Sequence, residues 1–219
     1  MKSKVVTLAE AMAKIHDGQT IMISGFVFAG TPEILIDGMV EKGVKNINLI
    51  SNDTCNPDYG IGKLIVNKQI AKLTASHIGL NKETGRQMNA GELEVNLVPQ
   101  GTLAERLRTA GAGLGGFLTP TGVGTIVEDG KQKINIDGKD YLLELPLRAE
   151  IALVKAYKAD KSGNLTYRRA ARNFNPLMAM AADFVIAAAE EIVEVGELDP
   201  ELVFTPGIMV DMVVHAGGE

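Results

Sequence analysis

Short, largely apolar runs recur along the first half of this chain and alternate with segments of helical pattern. The clearest runs lie at 20–24 and 47–51. Compact runs of this kind are typical of strands that are buried on both faces of a parallel sheet. Their alternation with helices favours an α/β fold in which helices cover both faces of the sheet. We therefore predict a three-layer α/β/α architecture with a mostly parallel sheet.

Helix signals fall between these runs. Thr7 and Glu10 have the spacing of a capping box at the start of a first helix. A second helix is expected to have Thr31 as its N-cap and Pro32 at its first position, and Gly43 is expected to end it. Further strands are predicted at 70–75, 93–98, 150–157 and 183–189, and further helices at 61–66, at Thr102 with Glu105 as a capping pair, and at Asn175-Pro176.

One segment in the second half departs from this alternation. Asp137-Gly138 separates two strand-like segments at 133–136 and 140–143. A dipeptide of this type between two strands is a strong signal for a two-residue hairpin turn. We therefore expect some antiparallel strands beside the parallel sheet.

The composition fits one domain and excludes several functional classes. With 219 residues, of which 46% are hydrophobic, the chain can bury one sizeable core, and a single domain over 1–219 is expected. The net charge of −5 leaves no broad cationic surface for nucleic acid. Cys55 is the only cysteine, so no intramolecular disulfide can form and we expect a cytoplasmic protein.

No segment has the pattern of a secretion signal or of a membrane span. Glu10 and Lys14 interrupt the apolar stretch near the start of the chain. The longest uncharged run, 109–127, contains six glycines, four threonines and Pro120, which make it a poor apolar helix. We predict no contact with a membrane.

The loop at 25–30 is the first candidate binding element, because it joins a predicted strand to a predicted helix. Gly25 and Gly30 would let the backbone approach a ligand closely, with Phe26 beside them. The N–H groups at the start of the following helix favour an anion. The spacing does not match the G-x-G-x-x-G fingerprint, so no nucleotide cofactor is indicated. The alternative is a tight connection that binds nothing.

The glycine-dense segment 111–125 is the second candidate. The N–H groups of Gly113, Gly115 and Gly116 could surround a carbonyl oxygen or a carboxylate. Leu114 and Phe117 would suit a wall around an acyl chain. The alternative is a flexible loop.

Two amide side chains follow predicted strands. Asn52 comes directly after the strand that ends at Ser51, and Gln100 follows the strand that ends at Val98. Ligands of α/β proteins gather where such strands end, and amides can bond a carboxylate or thioester without adding charge. The alternative is that these residues only form turns.

Other reactive residue types give weaker signals. Nothing orients Cys55 toward a base, so we expect a structural role for it. The three histidines lack the spacing of metal ligands, and no metal site is proposed. A basic cluster could meet a phosphate or could form a solvated or ion-paired face. That cluster is Arg168, Arg169 and Arg172.

Taken together, these segments resemble the α subunit of the class I coenzyme A transferases, the group that acts on acetate, butyrate and 3-oxoacids. The family's N-terminal signature is matched by Asp17-Gly18, by three apolar residues at 21–23, by Ser24-Gly25-Phe26 and by Gly30-Thr31-Pro32. Ser24 stands where the family has the first glycine of a pair. Further matches are Ser51-Asn52, 99–106, 111–113, 117–122 and 171–175.

The resemblance implies an enzyme that moves coenzyme A (CoA) from an acyl-CoA to a free carboxylate by a ping-pong route. The intermediate in such enzymes is a glutamyl-CoA thioester, and the glutamate lies in a Ser-Glu-Asn-Gly-like motif on the β subunit. No such motif occurs in these 219 residues. The resemblance therefore implies that this chain carries no catalytic nucleophile, needs a β subunit, with α2β2 as the expected assembly, and uses CoA as substrate without a further cofactor.

Uncharged loops suit a short acyl group such as acetate, butyrate or acetoacetate better than a dicarboxylate. Two alternatives remain: a sugar-phosphate isomerase or hydrolase on a related α/β fold, and a non-catalytic module that binds a small anion. The substrate-binding residues that we expect are Gly25, Phe26, Gly30, Asn52, Gln100, Gly113, Gly115, Gly116 and Phe117.

Overall fold

The computed structural model describes residues 2–217. Its strands, numbered along the chain, are β1 (Thr20–Ile23), β2 (Ile47–Ser51), β3 (Ile70–Ala75), β4 (Glu94–Leu97), β5 (Phe117–Thr119), β6 (Lys133–Ile136), β7 (Lys139–Glu144), β8 (Ala149–Asp160), β9 (Leu165–Thr166), β10 (Ala182–Val193) and β11 (Met212–His215). The main sheet has the order β11-β10-β8-β1-β2-β3-β4, and each neighbouring pair in it is parallel. Strand β9 adds to β8 in the antiparallel direction.

Helices cover both faces of this sheet. They are α1 (Leu8–Met12), α2 (Glu33–Lys42), α3 (Ile61–Val66), α4 (Lys82–Asn89), α5 (Gln100–Gly111) and α6 (Asn175–Ala181). Side chains alternate along β1, so that Ile21 and Ile23 join the core beneath α1, α2 and α3, whereas Met22 joins the core beneath α5 and α6. The predicted three-layer α/β/α fold is confirmed.

A second, small sheet has the order β5-β7-β6 and is antiparallel. Asp137 and Gly138 connect β6 to β7 with φ angles of 50° and 80°. Positive φ at both central residues is the geometry of a type I′ turn, which matches the twist of the flanking strands. The predicted hairpin is confirmed.

Two helix starts differ from their predictions. Helix α2 begins at Glu33 with Pro32 in the cap position, and Thr31 caps nothing. Helix α5 begins at Gln100, directly after Pro99, and Thr102 is a buried residue of its first turn rather than its cap. By contrast, the capping box of Thr7 and Glu10 is present at α1.

Helix α4 was not predicted, because its sequence is polar and carries no apolar period. Its N-cap is Asn81, which accepts a hydrogen bond from the Glu83 N–H at 3.1 Å. Buried Gln87 anchors it to α3 by donating to the Ile65 carbonyl at 2.8 Å. Within residues 2–217, no helix is long and apolar enough to cross a membrane.

Candidate active site at the carboxyl edge of the sheet

Strands β1, β2, β3 and β4 are parallel neighbours, so the segments that follow them meet at one edge of the sheet. A cavity of about 420 Å³ opens there. The loop after β1, the turns after β2 and β3, and the start of α5 supply its walls. The lining residues are Phe26, Val27, Asn52, Asp53, Ser76, His77, Leu80 and Gln100.

The loop after β1 is held in a closed turn. Phe26 and Ala29 exchange two backbone hydrogen bonds of 2.9 Å each, and Val27 between them is left-handed with φ of 52°. The Thr31 hydroxyl donates to the Val27 carbonyl at 3.1 Å, which explains why this residue closes the loop instead of capping α2. A Cβ on Gly25 would overlap that hydroxyl, so only glycine fits there.

Ser24, which replaces a family glycine, points away from the cavity. Its side chain is fully buried, and its hydroxyl donates to Asn175 Oδ1. The Asn175 amide in turn donates to the Gly30 carbonyl at 3.0 Å. A Cβ on Gly30 would lie 2.6 Å from the Ala171 carbonyl oxygen, so this glycine allows the loop to pack against the segment before α6. The serine thus leaves the approach to the cavity open.

Asp53 fixes the floor of the cavity. Its Oδ2 accepts from the Val27 N–H at 2.8 Å and from the Asn52 amide at 2.9 Å, and its Oδ1 accepts from the Cys55 N–H at 2.8 Å. The side chain is buried, and both oxygens are occupied. This carboxylate therefore orders the loop and is a poor candidate for a nucleophile.

Asn52 and Gln100 meet at the wall of the cavity, as the strand-end rule predicts. Gln100 Nε2 donates to Asn52 Oδ1 at 2.8 Å, and the Ser76 hydroxyl donates to the same oxygen at 3.0 Å. Asn52 is only 1% exposed, whereas Gln100 is exposed. Asn52 thus orients the Gln100 amide, whose second N–H is left to point at a ligand.

The start of α5 adds backbone donors beside Gln100. No side chain caps this helix. The first backbone hydrogen bond of the helix runs from the Leu103 N–H to the Pro99 carbonyl. The N–H groups before Leu103 have no partner within the helix, and the helix dipole places partial positive charge at them. This corner of the cavity favours a negatively charged oxygen.

The glycine-dense segment does not join this cavity within the chain, contrary to our expectation. Helix α5 carries the chain about 18 Å from Gln100 to the opposite edge of the sheet. There Arg148, just before β8, donates to the Ala110 carbonyl at 3.0 Å. The residues placed at that edge are Gly113, Gly115, Gly116 and Phe117.

The glycines at that edge have structural reasons of their own. Gly113 has φ of 69° directly after α5, where a left-handed residue ends a helix. A Cβ on Gly116 would lie 2.8 Å from the Glu144 carbonyl oxygen, so glycine is needed for β5 to approach β7. Gly113 thus ends the helix, and Gly116 shapes the small sheet.

Cys55 is not a nucleophile at this site. Burial, together with the nearby Asp53 carboxylate, raises the pKa of the Cys55 thiol to about 12. The thiol donates to the Val27 carbonyl at 3.0 Å. The side chain therefore adds one more bond that holds the loop after β1.

The arginine cluster lines a different cavity of about 620 Å³. The Arg168 guanidinium lies 5.2 Å from the centroid of the Tyr157 ring, and that of Arg172 lies 4.8 Å from the Phe204 ring. Among residues 2–217, none of the ion pairs involves these arginines. Arg168 and Arg172 are thus stacked on aromatic rings rather than ion-paired.

Ser76, His77 and Leu80 line the cavity, although they were not among the expected site residues. All three follow β3, so the strand-end rule that indicated Asn52 and Gln100 could have found them.

Comparisons with known proteins find relatives along nearly the whole chain. The family model described as "Coenzyme A transferase" matches residues 5–216. The acetate CoA-transferase subunit alpha of Escherichia coli K12 is 55% identical over 98% of this chain and 97% of its own length. The acetoacetyl-CoA:acetate/butyrate CoA transferase alpha subunit of Clostridium acetobutylicum is 51% identical, over 98% of each chain.

Solved structures show the same fold. An acyl-CoA transferase of Escherichia coli O157:H7, in a thioester complex with CoA, superposes with a TM-score of 0.85 at 22% identity. The match covers 98% of this chain but 47% of the other, so this chain spans about half of that protein. Glutaconate coenzyme A-transferase of Acidaminococcus fermentans gives a TM-score of 0.85 at 21% identity, over 97% of this chain and 75% of the other.

Proposed function

Since this chain belongs to the coenzyme A transferase family, we propose that it is the α subunit of an enzyme that moves CoA from an acyl-CoA to a short-chain carboxylate. The supporting observation is a cavity that offers donors for a negative oxygen but no free carboxylate. Among its lining residues, all within the described part of the chain, Asp53 is the only acid. Its oxygens are already occupied. The attacking acid must then come from a partner subunit.

The proposed reaction proceeds in two halves. A glutamate carboxylate of the partner attacks the thioester carbonyl, the C–S bond breaks, and an acyl-glutamyl anhydride and a CoA thiolate form. The thiolate attacks the glutamyl carbonyl of the anhydride, which releases the first acid and leaves a glutamyl-CoA thioester. A second carboxylate then attacks this thioester, and the same steps run in reverse to yield the new acyl-CoA.

This chain's part is to stabilise the oxyanion that forms at the thioester carbonyl. The free N–H of Gln100 and the open N–H groups at the start of α5 are the proposed donors. They are held by Asn52 and by the helix itself, so little reorganisation is needed during the reaction. A well-aimed donor of this kind contributes about 3–4 kcal/mol, or roughly 10²–10³ in rate.

The cavity favours a short monocarboxylic acid such as acetate, butyrate or acetoacetate. Phe26 and Leu80 are 47% and 44% exposed on its walls, and no lysine or arginine lines it. A second carboxylate on the substrate would meet apolar walls and the Asp53 charge. The names of relatives do not decide this point, because 52% and 51% identical relatives are named as succinyl-CoA:3-ketoacid and 3-oxoadipate transferases.

A β subunit is the proposed partner, with α2β2 as the proposed assembly. The support is the naming of the relatives as alpha or A subunits of nearly the same length as this chain. Closed two-fold assemblies are the common outcome when such a pair associates further.

Partner dependence tests the proposal. The chain is purified alone and after co-expression with a candidate β subunit, and CoA transfer from acetyl-CoA to butyrate is followed. Activity that requires both chains supports the proposal, and the mass of the complex gives the stoichiometry. Transfer by the chain alone at the rate of the complex would contradict it.

A further inference from the structure

His77 has a built position in the cavity that the proposed reaction does not yet use. It directly follows β3, and its backbone N–H donates to the Asn52 carbonyl at 3.2 Å. A Cβ on Gly79 would lie 2.9 Å from the His77 Cε1 and 3.1 Å from its Nε2. Gly79 is not among the residues with positive φ, so a side chain at position 79 would meet the imidazole rather than a strained backbone.

The charges around the cavity make this imidazole distinctive. Asp53 and His77 are the only titratable side chains among the lining residues. Asp53 is buried beneath the loop, whereas the His77 side chain is exposed on the wall. No lysine or arginine is among the lining residues, so the cavity offers a bound acid no guanidinium or ammonium group.

We propose that the absence of an arginine or lysine at position 77 decides which carboxylic acid the enzyme accepts. Gln100 and the start of α5 hold the reacting carbonyl, and the rest of the acyl chain then lies among Phe26, Leu80 and the imidazole. These groups accept an apolar tail. A dicarboxylic acid would place its second charge where no guanidinium or ammonium group meets it, and so binds less well. This inference rests on the proposed function.

The test is a change of charge at this position in the full α–β complex. In His77→Arg, the ratio of kcat/KM for succinate to that for butyrate is expected to rise about tenfold or more, because a fixed guanidinium meets the second carboxylate and penalises the apolar tail. His77→Lys repeats the charge on a slimmer side chain if the arginine variant does not assemble. His77→Gln, which stays neutral, should leave the ratio within about threefold.

His215→Arg is the matched control. This histidine is also exposed and packs over a glycine two residues later, Gly217. It lies on β11, five strand positions or about 24 Å from β3. The same added charge there should not change the ratio.

Two outcomes would overturn the inference, and they are distinguishable. If His77→Arg and His77→Lys transfer CoA but keep the succinate-to-butyrate ratio of the unmodified complex, His77 does not select the acid, while the proposed function stands. If the unmodified complex transfers CoA to no carboxylic acid, the proposed function fails and this inference fails with it.

Discussion

At the residue scale, the site depends on polar side chains that bind one another before they bind a ligand. Asp53 holds Val27 and Cys55, and both of these residues are left-handed, with φ of 52° and 47°. Backbone conformations of this kind cost about 1–3 kcal/mol each and persist only where the surroundings impose them. The buried carboxylate is what imposes them here.

Replacing Asp53 by alanine should therefore damage both the fold and the reaction. Three N–H groups lose their acceptor, which is expected to lower the free energy of unfolding by about 2–4 kcal/mol. The relaxed loop should lower kcat by about tenfold or more. Asp53→Asn keeps one acceptor oxygen, so its stability and its kcat should lie between those of the unmodified protein and the alanine variant. Denaturant unfolding and steady-state kinetics measure the two effects. An alanine variant with unchanged kcat would contradict the role of Asp53 in ordering the loop after β1 for the reaction.

Replacing Gln100 by alanine should separate catalysis from stability. The side chain is exposed, so the melting temperature should hardly change, whereas kcat should fall by roughly 10²–10³ if one oxyanion donor is lost. Gln132→Ala is the matched control, since this glutamine is also exposed but leads into β6 of the small sheet. Equal rates for the two variants would contradict the donor role of Gln100.

Part of this residue-level picture could be predicted from the sequence. The rule that ligands gather where parallel strands end placed Asn52 and Gln100 together. It could not show that the Asn52 oxygen is turned toward Ser76 and Gln100, because that orientation depends on a hydroxyl 24 residues away in the chain. As a result, the Asn52 amide orients the Gln100 amide, which is left free to donate to a ligand.

At the element scale, local signals predicted the strands and the ends of helices well, but they predicted where helices begin less well. The strands 47–51 and 70–75, the helix 61–66 and the stop at Gly43 agree with the structure residue for residue. Helix α4 was missed because tertiary contacts, not an apolar stripe, hold it. The glycine-dense segment, which we predict to bind substrate, lies outside this cavity, because its position follows from the length of α5.

The Gly116→Ala variant tests whether the glycine-dense segment shapes the small sheet and lies away from the cavity. The added Cβ would meet the Glu144 carbonyl, so β5 must move from β7 and the free energy of unfolding should fall by about 1–3 kcal/mol. KM for butyrate and for acetyl-CoA should stay unchanged, because the segment lies at the edge away from the cavity. A raised KM with unaltered stability would instead support the original expectation that this segment binds the acyl group.

At the scale of the whole molecule, our proposal is that this chain forms one wall of a site that another molecule completes. The fold confirms what the alternating pattern and the motifs indicated. The incomplete chemistry was visible in the sequence only through the absent glutamate motif, and the structure adds a cavity whose single acid is already bonded.

The location of the covalent intermediate tests this account most directly. The α–β complex is incubated with an acyl-CoA without acceptor acid, the glutamyl thioester is reduced with borohydride, and both chains are analysed by peptide mass spectrometry. We predict a modified glutamate on the partner chain alone. A modified acid on this chain, at Asp53 or elsewhere, would contradict the account.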